Sequence, residues 1–139
     1  ATDENVTIIK NIFENNSKTM IITYAEISFL ILIICVVLMR LILNHLENLF
    51  VNINRGDTPF TLENINHLKQ IAYLMIGTII LPNIFGVLFE FLMKIDLGIG
   101  FELFDVIEIL FLFSLSYIFE YGRLLGGETK GQIYGDDNE

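Results

Sequence analysis

Six carboxylates stand at the ends of apolar stretches in this sequence: Glu26, Glu90, Asp96, Glu102, Asp105 and Glu108. Gathered at one surface, they could bind a cation, hold a proton or attract a basic peptide. Glu102, Asp105 and Glu108 recur every three residues, which spreads them over about 120° of one helix side. The blander reading is a solvated rim, with Glu90 paired to Lys94 at i, i+4. Two histidines, His45 and His67, offer a metal-binding or pH-sensing role with Glu47 and Glu63 as further ligands. Their unequal distances from the turn between them do not oblige them to face each other, so the expectation is two solvated surface histidines. Cys35 is the single cysteine; it excludes an intrachain disulfide and a CxxC metal site, and reads as a small core residue. HExxH, a phosphate-cradling glycine loop and a nucleophile–base pair are all missing from the sequence. The reading is therefore non-enzymatic, with no catalytic residue, no metal and no cofactor.

The elements that must carry these residues are set by composition. The chain has 139 residues, 53% of them hydrophobic and 18% charged, with a net charge of −9 and a mean hydropathy of +0.60. Such a chain is too apolar for disorder. Direct nucleic-acid binding is not expected either, because it requires clustered Lys and Arg. An all-α integral membrane protein fits best. Residues 70–89 hold no charge and match the roughly 20 residues that cross a hydrocarbon core. Met20 to Leu43 is broken only by Glu26 and Arg40, and 101–121 is apolar at its centre. Three spans are expected, at about 20–43, 70–93 and 101–121, within a transmembrane domain of 20–125. Arg40, Arg55, Lys69, Arg123 and Lys130 outnumber Lys10, Lys18 and Lys94, so the positive-inside rule puts the N-terminus outside and the C-terminus in the cytoplasm. The ATDENV start, without Met, is consistent with a preceding segment that this sequence does not include.

Residues 109–119 cover only about 16 Å of helix, so Glu108 or Glu120 is expected at hydrocarbon depth, where a carboxylate must face inward, protonate or pair. Residues 1–19 place Val6, Ile9, Ile12 and Phe13 on one helical face, as in an amphipathic helix lying on a bilayer. Pro82-Asn83 is expected to kink the second span and could serve as a hinge. Gly126-Gly127 opens a polar tail, 126–139, and reads as a flexible linker.

Between the first two spans, residues 44–69 form a cytoplasmic elbow of helix extensions. Leu46, Leu49, Phe50 and Ile53 make an amphipathic stripe, which Arg55-Gly56-Asp57 ends. Pro59 fixes its own φ and drives Thr58 out of the helical region. Thr61 is the expected N-cap of the next helix, with Phe60 and Ile65 spaced as a hydrophobic staple. The stripe, together with Pro59 and Phe60, is the expected docking site for a soluble partner.

The run Gly56-Asp57-Thr58-Pro59-Phe60-Thr61-x-Glu63-Asn64-x-x-x-Leu68-Lys69-x-Ile71-Ala72 resembles the G-x-PFT-x-EN-x-x-x-L-x-x-IA signature of a family of small bacterial membrane proteins catalogued as domain of unknown function 2975. Ser116-Tyr117-Ile118-Phe119-Glu120-Tyr121-Gly122-x-Leu124-Leu125 resembles that family's closing segment. The resemblance covers residues 20 to 125. It implies no enzyme activity, and it implies a membrane-bound signalling role, because members are often associated with small helix-turn-helix regulators. Members commonly carry four spans, so this chain lacks one or has an N-terminal helix in its place. Where members often follow the last Leu with Gln, it has Gly126-Gly127. Three functions stay open: a sensor or regulator that binds or sequesters a cytoplasmic protein, a transporter or ion-conducting subunit using the outer acids, and immunity against a membrane-active peptide. The expected partners are the lipid bilayer of the cell membrane, a cytoplasmic regulator protein, and further copies in a homo-oligomer or membrane complex.

Overall fold

The computed structural model describes residues 2–56 and 58–136, with side chains over 3–56 and 58–126. Asp57 and the side chain of Lys130 lie outside what is described. Four helices follow one another: α1 (Thr2–Asn15), α2 (Lys18–Arg55), α3 (Leu62–Met93) and α4 (Leu103–Asp136). The fold is all-α, as its apolar periodicity requires. α2 packs on α3, α3 packs on α4, and α1 touches α2.

Local chemistry explains the boundaries. The Ser17 hydroxyl accepts the Met20 N–H at 3.3 Å to start α2. Thr61 accepts the Asn64 N–H at 3.2 Å to start α3, which is the N-cap its position indicates. α2 ends where Gly56 turns to extended backbone and donates its N–H to the Asn52 carbonyl at 2.9 Å. Span and elbow extension are thus one helix of 38 residues, about 57 Å long. α3 passes through Pro82 without interruption. The proline leaves a carbonyl one turn back without its N–H, and Asn83 adds a side-chain donor to the Ile79 carbonyl at 2.8 Å. The expected hinge residues therefore sit inside a continuous helix. Gly126 and Gly127 do the same: α4 runs through them to Asp136, where the sequence suggested a linker.

Among the described residues two helices, α2 and α3, are long and apolar enough to cross a membrane. The most apolar 18 residues of α2 have mean hydropathy 2.7, and none of them is buried within the chain. The third expected span falls in α4, whose apolar centre lies between Glu108 and Glu120.

Tight packing is concentrated at the elbow end. On α3, Asn64, Ile65, Leu68, Ile71 and Ala72 are buried, at i, i+1, i+4, i+7 and i+8 of one helical face. Leu49 of α2 and Ser116 of α4 are buried as well. At the other end of α3, Gly86 and Met93 are buried.

Candidate functional site

The elbow is where the separated sequence motifs meet. Phe60 lies across Gly122 of α4 and meets the Phe119 ring edge-on, with centroids 5.3 Å apart. Lys69 reaches Glu120 at 3.6 Å. Tyr73 meets Phe113 edge-on at 5.6 Å. The PFT-EN run and the SYIFEYG segment are thus two sides of one junction. Phe60 serves there as a wedge between the turn and α4.

This packing uses up most of the expected docking stripe. Leu49 is 5% exposed, while Leu46, Ile53, Pro59 and Phe60 are half-buried. Phe50 is 62% exposed, and Leu62 just past the turn is 55% exposed. The stripe faces inward because α3 offers an apolar face at the same level.

The histidines correct the expectation drawn from the sequence. His45 Nδ1 and His67 Nδ1 are 2.9 Å apart, and the rings are 5.2 Å between centroids. Both side chains are half-buried, so they are not solvated surface groups. His67 also turns Nε2 toward Glu63 Oε1 at 3.8 Å. Counting residues to the turn misled because the connection is extended at both Gly56 and Thr61. Five residues of helix cover about 7.5 Å, a distance two or three extended residues make up.

A second departure is the pair of amides inside the elbow. Asn64 is fully buried and donates Nδ2 to the Pro59 carbonyl at 2.9 Å. Its Oδ1, and Nδ2 of Asn52, are buried with no partner. Sequence reading used Asn64 only as a motif residue. It lies five residues after Pro59, and that spacing alone does not announce the contact.

Two of the acids are engaged by backbone amides. Glu90 Oε1 accepts the N–H groups of Leu97 at 2.7 Å and Ile99 at 3.0 Å. The expected Glu90–Lys94 pair is replaced by this hook because Lys94 is the left-handed cap of α3, φ 55, and has left the helix surface on which i, i+4 spacing holds. Asp105 accepts the Glu102 N–H at 3.2 Å, the reach-back of a capping box. Glu26, Glu102 and Glu108 are exposed. No group of three or more His, Cys, Asp or Glu among the described residues is arranged to hold a metal ion.

The Glu90 hook has a visible purpose. It holds Ile99 over Gly86, where a Cβ would come within 2.6 Å of the isoleucine. Ile99, Cys35, Pro82, Phe85 and Phe89 line a groove of about 450 Å³ beside it. Glu90→Ala should free both loop amides and cost about 1–2 kcal/mol. Hydrogen exchange at Leu97 and Ile99 should quicken. Glu90→Gln, which keeps an acceptor oxygen, should leave those amides largely protected; equal exchange in both variants would remove Glu90 from this role.

No protein-family model matches the chain, and neither the curated proteins nor the solved structures give a significant match.

Proposed function

We propose that the chain is a small, non-enzymatic bacterial membrane protein that acts as a sensor or regulator by holding a soluble cytoplasmic partner at its elbow. The observation that carries this reading is the split between the two regions. The long apolar helices keep large side chains such as Phe29, Leu30, Val36 and Met39 exposed, while the close packing lies at the elbow. A bilayer covers such faces, and a helix is the element that crosses it with its backbone satisfied. The hydroxyls support the same reading. Thr23, Ser28, Thr78, Ser114 and Ser116 each donate to a carbonyl of their own helix, so these five hydroxyl protons are satisfied within the chain.

On this reading α2, α3 and the centre of α4 cross the cell membrane, with the N-terminus outside and the elbow and C-terminus in the cytoplasm. α1, with Val6, Ile9 and Phe13 exposed, lies at the outer surface. The PFT-EN resemblance supports a signalling partner. The rigid wedge at Phe60 would carry a change of partner or lipid from α4 to α3, with Phe50 and Leu62 as the exposed contact residues. A transporter would have to work with Glu26, Glu102 and Glu108, since Glu90 and Asp105 accept backbone N–H groups.

Single thiols test the topology, using Cys35→Ser as background. In intact cells an impermeant maleimide should label Gly100→Cys, and should label Asn54→Cys only after permeabilisation. The reverse pattern would overturn the orientation, and extraction of the chain by alkaline carbonate would overturn membrane integration. Affinity capture through a tag after Glu139, in mild detergent, tests the regulatory role. Recovery of no soluble partner would count against it, as would a partner retained at full yield by Phe50→Ser/Leu62→Ser.

A further inference from the structure

We propose that His45 and His67 form a two-nitrogen clip for a late first-row divalent cation, of the Zn²⁺, Ni²⁺ or Cu²⁺ class, joining α2 to α3 at the elbow. Two Nδ1 atoms face each other at 2.9 Å. Each imidazole has one lone pair to offer in that direction, and without a metal the contact requires one ring to donate a proton to the other. A metal at about 2.0–2.1 Å from each nitrogen, with tetrahedral angles, sets the nitrogens about 3.3 Å apart. To accept it the nitrogens must separate by a few tenths of an ångström and the two rings, which now face each other in line, must each tilt by roughly 35° so that both lone pairs converge on the metal.

A neighbouring carboxylate stands just beyond hydrogen-bond distance of one of the two ligands, and a small side-chain shift would bring it into contact. Glu63 Oε1 stands 3.8 Å from His67 Nε2, one turn earlier on the same helix. A carboxylate behind a histidine favours the tautomer with the proton on the far nitrogen, leaving Nδ1 free to bind, which is the usual second partner of a metal-bound histidine. For neutral rings the exchange balances without net proton release. His67 keeps its proton on Nε2 toward Glu63, and His45 moves its proton from Nδ1 to Nε2 as the metal takes its place.

The rest of the surroundings leave the site open. No third His, Cys, Asp or Glu among the described residues completes the set, so water fills the remaining positions. Glu47 and Arg40 on α2 are exposed, and on the α4 side Glu120 is engaged by Lys69. Two imidazoles with water select nitrogen-preferring late metals over Mg²⁺ and Ca²⁺, which take oxygen ligands. The affinity should be modest. The effect on stability is specific, because an unfolded chain does not hold positions 45 and 67 together, and a ligand bound by the folded state alone stabilises it by mass action.

The test uses the full chain in detergent, purified without a polyhistidine tag and stripped with chelator. Thermal unfolding followed by far-UV circular dichroism should shift upward with Ni²⁺ or Zn²⁺, and not with Mg²⁺. A metal at about a hundred times its dissociation constant changes the folded-to-unfolded ratio about 100-fold. The shift should vanish in His45→Asn and in His67→Asn, and weaken in Glu63→Gln. Because either histidine variant could unfold, Cu²⁺ binding to the unaltered chain is followed by electron paramagnetic resonance. Two coordinated imidazole nitrogens are expected. A hydrogen-bonded pair only, with no metal-dependent shift and no nitrogen coupling, overturns the proposal. So does a shift that survives in both variants. The clip does not rest on the membrane topology or on the soluble partner, and either can fail without it.

Discussion

Gly122→Val should unseat the elbow turn from α4 and destabilise the chain by about 2–3 kcal/mol, at the upper end of what overpacking costs. A Cβ at position 122 would lie 2.8 Å from Phe60 Cγ and Cδ1 and 2.9 Å from Cδ2. Those atoms are the base of the ring, so they cannot swing aside as the tip of a flexible side chain would. The ring is also held edge-on against Phe119, one turn away on the same helix as Gly122. Its backbone lies between Pro59, whose φ is fixed, and the cap at Thr61, and its N–H is bonded to Thr58 Oγ1 at 3.2 Å. Gly122→Ala should be milder, because the better helix propensity of alanine returns up to about 1 kcal/mol. Gly126→Ala on the same helix is the control. A Cβ there meets nothing within 4 Å, so stability should hold or rise slightly. Phe60→Ala combined with Gly122→Val should cost less than the sum of the two single changes, the signature of a shared contact. Denaturation in detergent followed by circular dichroism measures all of these. Strict additivity would show that Phe60 and Gly122 do not meet.

The parts of this molecule legible in its sequence are the ones decided locally. Thr61 announces the start of α3 because a cap needs only the hydroxyl and the N–H three residues on. Gly56 announces the end of α2 in the same way, and the apolar runs announce helices. The parts that were not legible depend on residues far apart in the chain. Phe60 has staple spacing to Ile65, but the space it fills is made by Gly122, sixty-two positions away. His45 and His67 meet through the path of the connection, which residue counts do not report. Glu90 and Lys94 have ion-pair spacing, and it fails because Lys94 is where the helix stops being a helix. The expected docking stripe is a similar case. An amphipathic pattern at Leu46, Leu49 and Ile53 says that one face is covered, and leaves open whether the cover is a partner or the chain's own α3.

Asn64→Asp should be the most damaging single-atom exchange in the protein, at about 3–5 kcal/mol near neutral pH, the cost of an uncompensated buried charge. Asn64 is fully buried. It gives its amide N–H to the Pro59 carbonyl at 2.9 Å, while Oδ1 has no partner. The exchange removes the donor, sets a carboxylate oxygen against a carbonyl oxygen, and adds a charge beside an acceptor that is already unpaired. Asn64→Ala should cost less, about 1–3 kcal/mol, since it leaves one carbonyl without a donor and introduces no charge. The aspartate variant should recover as the pH falls toward about 4. A protonated carboxyl is neutral and can donate to Pro59, so the gap to the native chain narrows in acid. A gap that stays constant from pH 7 to pH 4 would argue against a buried, ionised group. The lesion should also be confined. Thr61 still caps α3 in this variant, so amide protection within the helix should outlast protection around Pro59 and Phe60. What Asn64 holds is the position of the turn against Gly122. Asn64→Ala and Gly122→Val both release that wedge, so together they should cost less than their sum.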